Sequence, residues 1–243
     1  MREEAQLQLL CALGRFYGEV PFSEHKSNQL RYFFDNGLYT YSDAILLQCM
    51  MRQFQPNVVI EIGSGFSSAV MLDTDELFLS SRTRFCFVEP YPDRLLSLVK
   101  KEDLRKHQLV ASLVQDVPTE FFQQLKRDDM LFIDSSHVSK CGSDVNRILF
   151  DIMPILESGV LVHFHDVFFP FEYPREWILG GKAWNEDYIL RAFLQYNTAF
   201  EIVLFNTYLE HFHEDWFARN MPMCLRNRCG SIWLRKLSAF SSK

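Results

Sequence analysis

An α/β fold with a mostly parallel, doubly wound sheet is what this 243-residue sequence predicts, because short, continuously apolar runs alternate with helical stretches from about residue 58 onward. Each run also ends in a glycine turn or a polar residue: "VVIEIGSG", "RFCFVEP", "QLVASLVQD", "DMLFIDSS" and "GVLVHFHD". The tail departs from this rhythm. "AFEIVLFNT" and "SIWLRKL" are joined by a loop of about two dozen residues, with no crossover helix, which implies an antiparallel pair at one edge. The expectation is a seven-stranded, Rossmann-like sheet, parallel over five strands and antiparallel at its C-terminal edge.

Residues 1–40, with the aromatic stretch "RYFFDNGLYTY", read as an N-terminal cap on the substrate side. "SDAILLQCMMRQF" carries apolar residues at helical spacing, with Ser42 or Asp43 as cap, and leads into the first strand. Further helices are expected at "SSAVMLDTDELF", "PDRLLSLVKKEDL", "SDVNRILFDIMPIL" and "WNEDYILRAFLQYN". The main domain spans 41–240. An aromatic and proline-rich insert at 168–184 follows the fifth strand, beside the carboxyl ends where open α/β sheets bind ligands.

With 48% hydrophobic and 23% charged residues, the chain buries a sizeable core. A net charge of -6 and a pI near 5.7 argue against a surface built to neutralise nucleic-acid phosphates, and favour a small-molecule or glycan partner. The six cysteines form no CxxC pair, as expected of reduced thiols in a cytoplasmic protein; "CLRNRC" is held open as half of a metal site. The acidic, amphipathic N-terminus does not resemble a secretory signal, and no apolar run reaches the ~20 residues of a membrane span. The sequence leaves the oligomeric state open, a homodimer included.

In such a sheet the residue ending each strand faces the ligand crevice. Glu61 ends the first strand before Gly63, Ser64 and Gly65, where glycines let the backbone approach a ligand; a tight turn without a ligand is the competing reading. Glu89 ends the second strand, placed to accept from the hydroxyls of a ribose, and Asp116 ends the third, placed to accept from an adenine amino group or to cap a helix. Asp134 ends the fourth strand with His137 three residues on, and His165 and Asp166 end the fifth. His163, deeper in that strand, reads as a structural imidazole, and "HFHED" at 211–215 as a solvated loop. Of the aromatics in the insert, Phe169, Phe171, Tyr173, Trp177 and Trp184 are expected to wall a pocket or to pack on the N-terminal segment as satellite core.

This ordered set, "EIGSGFSS", "FVEP", "LFIDSSH" and "LVHFHD", resembles the class I S-adenosylmethionine-dependent methyltransferases, and within them bacterial small-molecule and sugar O-methyltransferases. The resemblance implies S-adenosylmethionine as cofactor, held by Glu61, Gly63, Ser64, Gly65, Glu89, Asp116 and Asp134. By analogy with catechol-type relatives it also implies a divalent cation, Mg2+ or Mn2+, on Asp134, His165 and Asp166. The histidine in that set departs from the all-oxygen shell that magnesium prefers. Metal-free catalysis is the other reading: His137 takes the acceptor proton and Asp166 or His165 orients the acceptor. Two different functions stay open. A nicotinamide-dependent oxidoreductase would use the same turn, although Ser68 stands where a dinucleotide turn wants its third glycine; a non-catalytic methyltransferase-like binding module is the other.

Overall fold

The computed structural model describes residues 1–228 and 230–237. Cys229, half of the metal motif held open above, and the end of the expected 41–240 domain lie outside the described residues.

The described residues form one sheet in the order β3-β2-β1-β4-β5-β7-β6. Strands β1 (Val58–Ile62), β2 (Arg84–Val88), β3 (Gln108–Val110), β4 (Met130–Ile133) and β5 (Leu161–His165) are parallel. β7 (Ser231–Lys236) inserts antiparallel between β5 and β6 (Phe200–Phe205), so the expected edge pair is present. The order reverses between β1 and β4, whose register pairs Ile62 with Ile133, and a reversal of this kind opens a crevice beyond the carboxyl ends. Both faces are covered. α1 (Glu3–Gly14) packs on β6, and α2 (Ser42–Phe54), buried from Ser42 through Met51, packs on α3 (Phe66–Phe78).

β3 is shorter than "QLVASLVQD" suggests. Its one neighbour among the described residues, β2, ends at Val88, which pairs with Val110, so no described strand holds the next residues; they turn into a 3-10 segment, Val114–Asp116. α4 (Asp93–Leu98) and α5 (Asp103–Lys106) divide one expected helix. The helix after β4 starts on a Ser143 cap as α6 (Asp144–Arg147) and widens into a π turn, Ile148–Ile152, before α7 (Met153–Ile155). Pro154, which has no backbone N–H to donate, explains the interrupted ladder.

The insert carries α8 (Arg175–Leu179), and α9 (Glu186–Leu194) follows it. The expected loop between the edge strands is instead helical, as α10 (Asn206–Phe212), α11 (Glu214–Asn220) and a 3-10 turn at Pro222–Arg226. Leu209, Phe217 and Met221 bury a helical stripe there; "HFHED" is largely exposed, as expected, but lies at the junction of two helices rather than in a loop, with His213 bonded to Glu3 at 2.8 Å. Residues 1–40 are fixed to the domain by buried Leu10, Leu13, Tyr32 and Phe34 and by Arg31, whose guanidinium meets Asp73 at 2.6 Å and Asp103 at 2.7 Å.

Candidate active site

Two adjoining cavities lie at the carboxyl edge of the sheet and share Asp134, Ser135 and Ser136. The first, of about 280 Å³, is lined by Gly63, Val88, Glu89, Tyr91 and Gln115. The second, of about 610 Å³, is lined by His137, His165, Asp166, Trp177, Lys182 and Trp184, with Leu38 contributed by the N-terminal segment.

The turn after β1 forms the inner wall. Gly63 has φ +81°, and a Cβ there would meet the Asp134 carbonyl oxygen at 1.8 Å, so only glycine lets the first and fourth strand ends approach this closely. The Ser64 amide donates to Glu89 at 2.9 Å and the Tyr91 amide to the other Glu89 oxygen at 2.8 Å, which fixes the second strand's acid against the turn. Glu61 is placed differently from the expected ligand contact. It is fully buried, lines neither cavity, and accepts from the Ser67 hydroxyl at 2.5 Å and from the Ser68 hydroxyl; burial pushes its carboxyl up to about 8 against those bonds. Ser68 also accepts from the Gly65 amide at 3.0 Å. The serine in the third-glycine position thus braces the turn through hydrogen bonds. Asp116 is exposed and outside the lining, because its strand ends early; the neighbouring Gln115 faces the smaller cavity instead.

His137 is the hub of the larger cavity. Its Nε2 lies 3.3 Å from Asp134 and 3.8 Å from Asp166, and its Nδ1 lies 2.8 Å from Glu186. Its carbonyl accepts from the Asn185 and Glu186 amides at 3.0 and 3.2 Å, which ties the start of α9 to the β4 loop. Burial works against an imidazolium here, yet the bonds to Asp134 and Glu186 lift His137 to about 10. Burial pushes Asp134 up, but His165 and His137 outweigh it and hold its carboxyl below the usual range.

His165 is buried, with Nε2 3.6 Å from Asp166 and Nδ1 3.9 Å from Asp43. Burial lowers it, and Asp166, Asp134 and Asp43 together raise it above its ordinary value. His163 stacks on Phe132 at 4.1 Å, and burial drives it well down, as a neutral core imidazole.

The expected metal ligands Asp134, His165 and Asp166 all reach this cavity, but they do not converge. Among the described residues no three His, Cys, Asp or Glu side chains come together to hold a metal ion. The His137 imidazole lies against both carboxylates, its Nε2 3.3 Å from Asp134 and 3.8 Å from Asp166. The donor set as arranged does not fit a divalent cation.

The insert divides its aromatics between two tasks. Phe168, Trp177 and Trp184 line the larger cavity, whereas Phe169 packs on Tyr208 at 5.1 Å and Phe171 on Phe205 at 5.2 Å. Tyr173 is buried behind them and its hydroxyl accepts from the Asp187 amide at 3.1 Å. Sequence reasoning missed Glu186, Asp187 and Lys182. Adjacent acids at a helix start are ordinarily solvated, and the one available signal was their place directly after the aromatic insert.

Residues 60–167 match a family described as a methyltransferase domain. A protein of Archaeoglobus fulgidus, described there as uncharacterized, is 30% identical over 132 residues, which is 53% of this chain and 58% of that protein. The chain therefore spans less than two thirds of that relative. Among solved structures, the apo form of CmcI-N160 superposes with a TM-score of 0.53 at 14% identity, over 93% of this chain and 84% of its own. The S-adenosylhomocysteine-bound methyltransferase PaMTH1 of Podospora anserina does so with a TM-score of 0.50 at 13% identity, over 96% and 88%. At these identities the structures show a shared fold. Over residues 60–167 the chain is thus similar to a methyltransferase domain, and its fold is shared with the PaMTH1 methyltransferase.

Proposed function

We propose that this chain transfers a methyl group from S-adenosylmethionine to an oxygen of a small-molecule or saccharide acceptor. The observation that carries the reading is the pair of cavities joined at Asp134, Ser135 and Ser136, one beside the glycine turn and one beside His137 and Asp166. Glu89, Gln115 and the turn from Gly63 to Gly65 would hold the cofactor, with Glu61 bracing the turn from behind. Bound there, the cofactor supplies an electrophilic methyl group on a sulfonium.

The residues of the larger cavity then have to align an acceptor hydroxyl and remove its proton. His137 can act as the base only when neutral, and its lifted value keeps it protonated near pH 7. In that state it donates toward the developing alkoxide, and Asp166, which lines the same cavity, takes the proton. No step in this reading is routed through a metal. The bonds of Ser68 to Glu61 and Gly65 weigh against a nicotinamide enzyme, whose dinucleotide turn packs a third glycine there.

The test is incubation of the purified chain with methyl-labelled S-adenosylmethionine and a panel of hydroxylated phenols, acids and saccharides. Label recovered on an acceptor oxygen supports the reading. Cofactor binding with no transfer to any acceptor would favour the non-catalytic binding module.

A further inference from the structure

We propose that the larger cavity selects hydroxylated rings bearing a carboxylate, and that Lys182 reads the negative charge; this rests on that cavity being the acceptor site. The sequence "WILGGKAW" places two glycines directly before this lysine. α8 ends at Gly180 and Gly181, and Gly181 adopts φ +90°, which turns the chain back so that the Lys182 amide donates to the Trp177 carbonyl at 3.0 Å. That turn sets the Lys182 ammonium over two indoles, 3.5 Å from the Trp177 ring centroid and 4.2 Å from that of Trp184. Lys182 and both rings line the cavity.

The charges in this cavity are unevenly balanced. Its carboxylates each face an imidazole: Asp134 and Asp166 lie 3.3 and 3.8 Å from His137, and Asp43 lies 3.9 Å from His165. Among the described residues no ion pair joins Lys182 to a carboxylate, nor Arg94, which lines the same cavity beside Gly65, whereas Arg228 in that lining pairs with Glu214. Aromatic faces attract an ammonium without neutralising it or using up its N–H donors. The cavity therefore presents a pre-positioned cation with no protein anion to answer it, and a ligand carboxylate would complete it.

Spacing and shape point the same way. Trp184 touches both groups, its ring centroid 4.3 Å from the His137 imidazole and 4.2 Å from the Lys182 ammonium. The hydroxyl-facing and charge-reading groups are thus close enough for one ring-sized ligand to reach both, and the indoles offer flat walls for such a ring.

Three probes share a phenolic hydroxyl and differ in charge: 4-hydroxybenzoate, phenol and tyramine. Their binding to the whole chain is to be measured by calorimetry without cofactor, so that the outcome does not depend on methyl transfer; a separate titration with S-adenosylhomocysteine reports on the cofactor reading. The expected result is that 4-hydroxybenzoate binds roughly tenfold or more tightly than phenol, and tyramine no better than phenol. In Lys182→Met the preference falls to about twofold or less, while Lys182→Arg keeps it; unchanged thermal melting shows that the variants fold. Equal affinities, tighter binding of tyramine, a preference that survives Lys182→Met, or no binding of any probe would each overturn the proposal.

Discussion

The Nδ1 of His137 lies 2.8 Å from a carboxylate oxygen of Glu186, and both side chains are almost wholly buried. Burial alone would strip His137 of its charge, and the bonds to Asp134 and Glu186 together reverse that outcome. The pair joins the loop after β4 to the first residue of α9, so the same contact helps set the charge in the cavity and holds the insert's far end in place.

Replacing Glu186 by Gln removes a negative charge and keeps the shape. The His137 imidazole should then titrate lower than about 10 by roughly one pH unit or more, as read from its ring resonances by NMR. If His137 titrates as before, Glu186 does not set its charge. If turnover is detected, its pH optimum should move in the same direction.

Asp187 gives a second handle on pH. Burial lifts its carboxyl from 3.8 to about 8 while one oxygen accepts from the Phe168 amide at 3.3 Å. A carboxyl whose folded value is raised stabilises the fold most below its unfolded value, and the contribution is lost as pH climbs through the folded one. Stability should therefore decline between about pH 4 and pH 8, and Asp187→Asn should flatten that decline while leaving stability near pH 4 little changed. Urea unfolding at several pH values measures the slope.

Gly63→Ala tests the turn. The new methyl group would stand 1.8 Å from the Asp134 carbonyl oxygen in a left-handed backbone conformation. Strain of about 1–2 kcal/mol for the backbone alone, plus the clash, predicts a loss of roughly 3 kcal/mol or more. An unchanged melting temperature would mean that β1 and β4 separate easily at their ends.

Arg31→Met leaves the buried Asp73 and Asp103 without their cation, which should cost about 3–5 kcal/mol in chemical denaturation. Because the same N-terminal segment brings Leu38 to the larger cavity, ligands of that cavity should also bind more weakly. A variant as stable as the parent would show that the segment is held by its aromatic packing instead.

The fold was largely legible because buried parallel strands must be continuously apolar, and runs such as "VVIEI" and "MLFID" admit few other readings. What failed was local and depended on neighbours. β3 stops where β2 stops, which no property of "QLVASLVQD" reveals, and Asp116 left the cavity with it. The stretch after β6 looked like a loop because its helices are short, although Leu209, Phe217 and Met221 already marked a buried stripe. In the site, His137, His165, Asp166, Asp134 and Glu89 meet at the expected edge because strand ends are fixed by topology. Glu186 was invisible because its partner His137 lies 49 residues earlier in the chain, and the charge of His137 depends on Asp134 and Glu186 together.

The most direct test of the central claim, that the crevice beyond β1, β2 and β4 is a cofactor site, is a calorimetric titration of the whole chain with S-adenosylhomocysteine, alongside Glu89→Ala. The expected result is saturable binding near one per chain, weakened about tenfold to a hundredfold in the variant, which loses the acid that the Ser64 and Tyr91 amides hold in place. No heat of binding in the parent chain, or equal binding in the variant, would contradict it.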